Sequence, residues 1–168
     1  IGEGSEGVGP DAPQNPIVNG SFEDLTGLDD NGGHFTGPDG EIPGWTDPSG
    51  YPIDVLIDVR CGIDPVDGQA WLDTEGTPKL SHVGQDVAGV EDGQVYILSF
   101  SAADYPVKGG NLANFQGGAG AQNEFDVIWN GEVIATINPS QRGGMEEYTF
   151  AVEGGSGDGS NRLEFSGK

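Results

Sequence analysis

The stretch FDVIWNGEVIATI, residues 125–137, decides the fold. Two runs rich in β-branched residues flank Asn130-Gly131. That dipeptide accepts positive φ at both central positions of a type I′ turn, the connection whose twist suits two antiparallel strands. Alternation then follows from the pleat: Phe125, Val127 and Trp129 share one face and Asp126 lies on the other. The reading is a tight hairpin with Trp129 in the core.

Working outward, runs of the same kind recur. IDVLIDV (53–59), QAWLDT (69–74), LSHVGQDV (80–87) and QVYILSFSAA (94–103) precede the hairpin, and EEYTFAV (146–152) and NRLEF (161–165) follow it. PIVNGSFE (16–23) reads as a first short strand ending in acids. Residues 24–52 read as a long acidic, Gly-rich loop broken by IPGW (42–45). Residues 104–123 form a connection without periodicity, and GGSGD (154–158) is a plain glycine turn. About nine strands with closely spaced turns and almost no helical pattern predict an all-β sandwich of two antiparallel sheets. Parity places Ala70, Leu72, Tyr96, Leu98 and Phe100 on inward rows with the hairpin's aromatic face.

Composition agrees. Gly (31) and Pro (11) make up a quarter of the 168 residues, and they fall between the alternating runs, as turns do. Twenty-eight acids against six bases give 6 − 28 = −22. Such self-repulsion keeps a protein soluble and strains its compact state, which cations or salt relieve. Nucleic acid and anionic membranes are excluded as partners, because phosphate binding needs clustered Lys and Arg; here the six bases are scattered. No apolar run approaches the length of about 18 that marks a membrane span, so no membrane insertion is expected. Residues 1–15 carry Gly, Pro and acids with little to bury and read as a flexible arm or linker, leaving 16–168 as the domain. The chain starts at Ile1 without a basic-then-apolar leader and reads as a mature or excised piece. The single Cys61 forms no internal disulfide and reads as a buried, inert thiol.

The order of motifs VNGSFE (18–23), IPGW (42–45), DGQAWLD (67–73), GQDV (84–87), YILSFSA (96–102) and FDVIWNGEVI (125–134) resembles the galactose-binding-like jelly-roll domains of bacterial secreted and surface proteins. It is closest in pattern to carbohydrate-binding modules of the family 4/9/22 type and to DUF642-like domains. The resemblance covers residues 16–166 and implies a jelly-roll topology, a secreted or cell-surface location and a structural role for Trp45. It also implies that Glu23 is a calcium ligand, with Asp24 and the acids of the following loop (Asp29, Asp30, Asp39, Glu41) supplying further oxygens for a hard cation. One departure stands out. Chains of this type end in a further strand carrying an Asp, whereas this one stops at LEFSGK (163–168). A missing closing strand implies an open sheet edge, and with it self-association or strand addition from another chain.

Ligand-binding candidates come from parity. With Ala70 and Leu72 inward, Trp71 faces outward beside Gln69 and Asp73. An outward indole flanked by an amide and a carboxylate stacks on a pyranose face and binds its hydroxyls; the competing reading packs Trp71 under a loop. Tyr105 and Phe115, in the 104–123 connection, extend this groove. Catalysis finds no support: His34 and His82 are the only histidines, and neither G-x-S-x-G nor H-E-x-x-H occurs. The sequence therefore reads as a non-catalytic, calcium-stabilised module that binds a glycan or polysaccharide. The second reading is a structural subunit of an extracellular assembly, such as a filament, surface layer or capsid decoration.

Overall fold

The computed structural model describes residues 15–57, 63–74, 80–104, 124–140 and 144–168. Among them there is no helix. Twelve strands form: β1 (Asp29–Asp30), β2 (His34–Gly37), β3 (Glu41–Ile42), β4 (Trp45–Thr46), β5 (Ile53–Ile57), β6 (Ala70–Asp73), β7 (His82–Asp86), β8 (Val95–Ala102), β9 (Phe125–Trp129), β10 (Glu132–Ile137), β11 (Glu146–Glu153) and β12 (Arg162–Gly167). Every strand pairing among the described residues is antiparallel. The protein is all-β, as the alternation predicted.

Among the described residues the strands hydrogen-bond into three sheets rather than two. Their orders are β1-β2-β5-β6, β10-β9-β12-β7-β4-β3 and β11-β8. One core nevertheless joins all three, with Ile53 and Val55 of β5, Leu98 of β8, Val127 and Trp129 of β9, and Leu163 of β12 in a single cluster. The Phe100 ring of β8 meets Phe165 of β12 edge-on, with centroids 5.1 Å apart. The β8–β11 ladder thus closes on the six-stranded sheet through aromatic packing. The inward rows hold: Ala70, Leu98, Phe125, Val127 and Trp129 are buried, and Leu72, Tyr96 and Phe100 pack against them half-buried.

The deciding hairpin forms as read. Asn130 and Gly131 adopt φ of 51° and 80°, and Glu132 pairs with Trp129 across the turn. A register shift between Val133 and Ala135 bulges β10, which lies at one end of its sheet; such irregularity discourages edge-to-edge pairing. The strand β12 lies between β9 and β7 and is laddered on both sides, so LEFSGK closes the middle of a sheet and offers no open edge itself.

Two sequence expectations are corrected. Residues 16–23 are a turn, with Asn19 and Phe22 at φ of 47° and 60° and Phe22 N–H donating to Asn19 O at 3.1 Å. Its apolar residues dock on other motifs instead of pairing as a strand. Gln85 exchanges two hydrogen bonds with the Val18 backbone, at 2.9 and 3.1 Å. Asn19 Nδ2 donates to Pro43 O at 2.8 Å, and Trp45 Nε1 donates to Asn19 O at 3.1 Å. Phe22 packs on Trp45 with centroids 5.4 Å apart. The motifs VNGSFE, IPGW and GQDV therefore make one structural joint, with Trp45 buried in it as expected. The second correction concerns residues 24–52, which hold the two small hairpins β1–β2 and β3–β4 rather than a loop broken only by IPGW.

Candidate functional site

The sheet β1-β2-β5-β6 turns Phe35, Ile53, Val55, Ala70 and Leu72 toward the core. Its other face is fixed by register. Thr36 pairs with Asp54, which pairs with Asp73; His34 pairs with Leu56, which pairs with Trp71. Two parallel rows thus cross three strands, one polar and one ending in an indole, each side chain placed by the pleat.

The polar row is organised around Asp54, which is buried. Its Oδ1 accepts the Thr36 hydroxyl at 3.1 Å, and His34 Nε2 lies 3.1 Å from the same oxygen. A buried carboxylate needs such partners. The imidazole itself stays partly open, with 38% of its side chain exposed. This His-Thr-Asp group was not singled out in the sequence. Its only signal there is Asp54 interrupting the apolar run IDVLI.

Trp71 lies on the strand face that parity assigned it, beside Asp73, but the indole is not open. It is 5% exposed and forms a second small core with Leu56 and Ile63, against which Ala103 and Met145 pack. The expectation of an exposed stacking ring is corrected: three chain segments cover it. Parity reports which side of a sheet a residue takes; it does not report what later segments lay over that side. The Trp71 Nε1–H has no hydrogen-bond partner among the described residues. Gln69 is exposed just before β6, and Asp73 is half-buried at its end. Tyr105 and Phe115 lie outside the described residues, as does Cys61.

The expected metal ligands sit elsewhere. Glu23 is exposed, and its Oε1 accepts the backbone N–H groups of both Gln69 and Ala70 at 2.6 Å each, clamping the start of β6 to the N-terminal turn. Asp24 Oδ1 accepts Thr26 N–H at 3.1 Å. Hydrogen bonding from Thr26, its side chain first and then its amide, holds the Asp24 carboxyl below the usual 3.8. Asp30 Oδ1 accepts Gly33 N–H at 2.9 Å. Among the described residues no three His, Cys, Asp or Glu side chains gather closely enough to hold an ion. Side-chain oxygens alone therefore do not complete a calcium shell around Glu23; backbone carbonyls and water make up the remaining ligands of such sites.

The outer face of the six-stranded sheet carries a separate network. Arg162 binds Glu164 at 3.1 Å and Asp86 at 3.0 Å, and His82 Nε2 lies 3.2 Å from Glu164. It ties β7 to β12. No family model matches the chain, and no curated protein or solved structure matches it.

Proposed function

We propose that this chain is a non-catalytic carbohydrate-binding or adhesion module of a secreted or cell-surface protein, steadied by calcium. The observation that carries the reading is the pair of rows across β2, β5 and β6. Thr36, Asp54 and Asp73 offer hydroxyl and carboxylate groups, with the partly open His34 beside them, next to the Leu56–Trp71 apolar row. A sugar is recognised largely by such polar groups, which fix its hydroxyls, while the covered Leu56 and Trp71 give the sheet a firm backing. With Trp71 covered, the sugar's hydroxyls fall to His34, Thr36 and Asp73, and the indole supports the face from beneath. The negative charge of the chain favours a neutral glycan over an acidic one. The ordered motifs shared with galactose-binding-like jelly rolls support the same reading.

The test is a glycan array probed with the intact chain and with Asp73→Ala and His34→Ala variants, each with calcium and with EDTA. Binding of a neutral glycan that both variants lose supports the proposal. An array without binding in either condition, or binding that both variants keep, refutes the site.

A second reading, a structural subunit of an extracellular assembly, is favoured by one feature. The β8–β11 ladder exposes Val95 and Ile97 at 65% and 69%, with the small Ala151 opposite Ile97. Mass measurement in solution over a concentration series separates the two readings, since assembly through this ladder gives multimers that Ile97→Lys dissolves.

A further inference from the structure

Three Asn-Gly pairs occur in the chain, at Asn19-Gly20, Asn31-Gly32 and Asn130-Gly131. The sequence treats them alike; the structure does not. Asn19 is held on three hydrogen bonds: Nδ2 donates to Asp24 O and Pro43 O, and Oδ1 accepts Asp24 N–H. Asn130 is fully buried, with Oδ1 accepting Arg162 N–H at 2.7 Å and Nδ2 3.5 Å from Asn161 Oδ1. Asn31 is exposed in the β1–β2 turn, and its carboxamide has no hydrogen bond among the described residues. Its backbone N–H is bound to His34 O at 2.9 Å, so the hydrogen bond that pins this residue is made by the main chain and not by the carboxamide.

We infer that Asn31 is a self-modification site, where the carboxamide deamidates while Asn19 and Asn130 are protected by the fold. The Gly32 amide nitrogen gives up its proton and attacks Asn31 Cγ. The Cγ–Nδ2 bond breaks, and the departing nitrogen takes up that proton to leave as ammonia. The resulting five-membered succinimide is opened by water at either carbonyl, giving aspartate or isoaspartate, with no oxidant or reductant required. Glycine lowers the steric barrier because no Cβ hinders the attacking nitrogen. The modification adds one negative charge beside Asp29 and Asp30. In its isoaspartyl form it also lengthens by one methylene the turn that delivers His34 to Asp54.

Cleavage after glutamate makes the test direct. The fragment 24–41 contains Asn31 as its only amide side chain, and 125–132 contains Asn130 as its only one. The folded protein is aged in warm, mildly alkaline buffer, cleaved, and followed by mass, with an Asn31→Gln variant and a urea-unfolded sample in parallel. The expected result is a mass gain of OH for NH2 in 24–41, appearing as two chromatographic forms. This gain is at least about tenfold faster than in 125–132, since freeing Asn130 breaks two or more buried hydrogen bonds. The gain in 24–41 is absent from the variant, and the unfolded sample loses the selectivity. Equal rates in the two fragments of the folded protein overturn the inference, as does an unchanged 24–41.

Discussion

Asn130 Oδ1 accepts the Arg162 backbone N–H at 2.7 Å, so the turn of the β9–β10 hairpin is fastened to the first residue of β12. The Asn130 N–H donates in turn to Arg162 O at 2.9 Å. One residue thus serves both the turn and the sheet order. Asn130→Ala is expected to cost about 1–3 kcal/mol, by unpairing a buried backbone donor and placing alanine at positive φ. Urea denaturation measures the loss, and a change below experimental error refutes the role.

Trp71 reverses an expectation drawn from its strand alone. Because the ring is buried with Leu56 and Ile63, Trp71→Ala is expected to destabilise by about 3 kcal/mol or more rather than leave the fold intact. Trp71→Phe keeps most of the packing and removes the unpartnered N–H, so its cost is distinctly smaller. Equal midpoints for the alanine variant and the parent in urea overturn the assignment of Trp71 to a core.

The contrast with Asn130 says why some features were legible in the sequence and others were not. The hairpin is local: dipeptide and alternation both lie within 125–137 and both came through, whereas the bulge between Val133 and Ala135 carries no such signal. Trp71's strand face is local too, and was read correctly. Its cover is not, since Ile63 comes from the loop before the strand and Ala103 and Met145 from two distant segments. The turn at 16–23 was misread for a related reason. Its Phe22 packs on Trp45 and its Val18 backbone binds the Gln85 side chain, and no periodicity within eight residues encodes contacts with residues 45 and 85. The His34–Asp54 pair depends on the register between β2 and β5, which only the folded sheet supplies.

Calcium is expected to raise the melting temperature above that in EDTA. A ligand specific to the folded state stabilises by about 2.7 kcal/mol at a hundredfold excess over its Kd. Glu23→Ala should abolish the calcium increment. It also destabilises the metal-free protein by about 1 kcal/mol, through the lost Gln69 and Ala70 hydrogen bonds. Superimposable melting curves in calcium and EDTA remove the metal from the proposal.

Salt is expected to stabilise the chain whatever its ligand. With a net charge of −22, screening acts mainly on repulsion, and the Debye length falls from about 30 Å at 0.01 M to about 3 Å at 1 M. Each kcal/mol gained raises Tm by about 2–4 °C at this length. A scanning series in sodium chloride that shows a falling Tm contradicts this.

Acid reaches the β9–β12 junction through Asp126. Hydrogen bonding from Thr136, at 2.6 Å, holds its carboxyl below 3.8 against the opposing pull of desolvation, and Lys168 at 3.3 Å adds a lesser lowering. The folded value is the lower one, so the interaction stabilises above the unfolded value and is lost as pH falls through the folded one. Carboxyl NMR titration should place Asp126 below its ordinary value and move it upward in Thr136→Val. A midpoint at or above 3.8 in the parent is the contrary result.

The interior place of β12 also sets an order of events. Until residues 162–167 arrive, the six-stranded sheet exists as two pieces with no ladder between them: the β9–β10 hairpin and the β7-β4-β3 group. Partners of Leu163 lie at Gln85 and Trp129, so the joining step closes long loops before any hydrogen bond rewards it. The chain must therefore hold two half-sheets apart and soluble while it waits for its keystone strand. The net charge of −22 is suited to that wait, because like charge opposes the sticking of one chain to its neighbours.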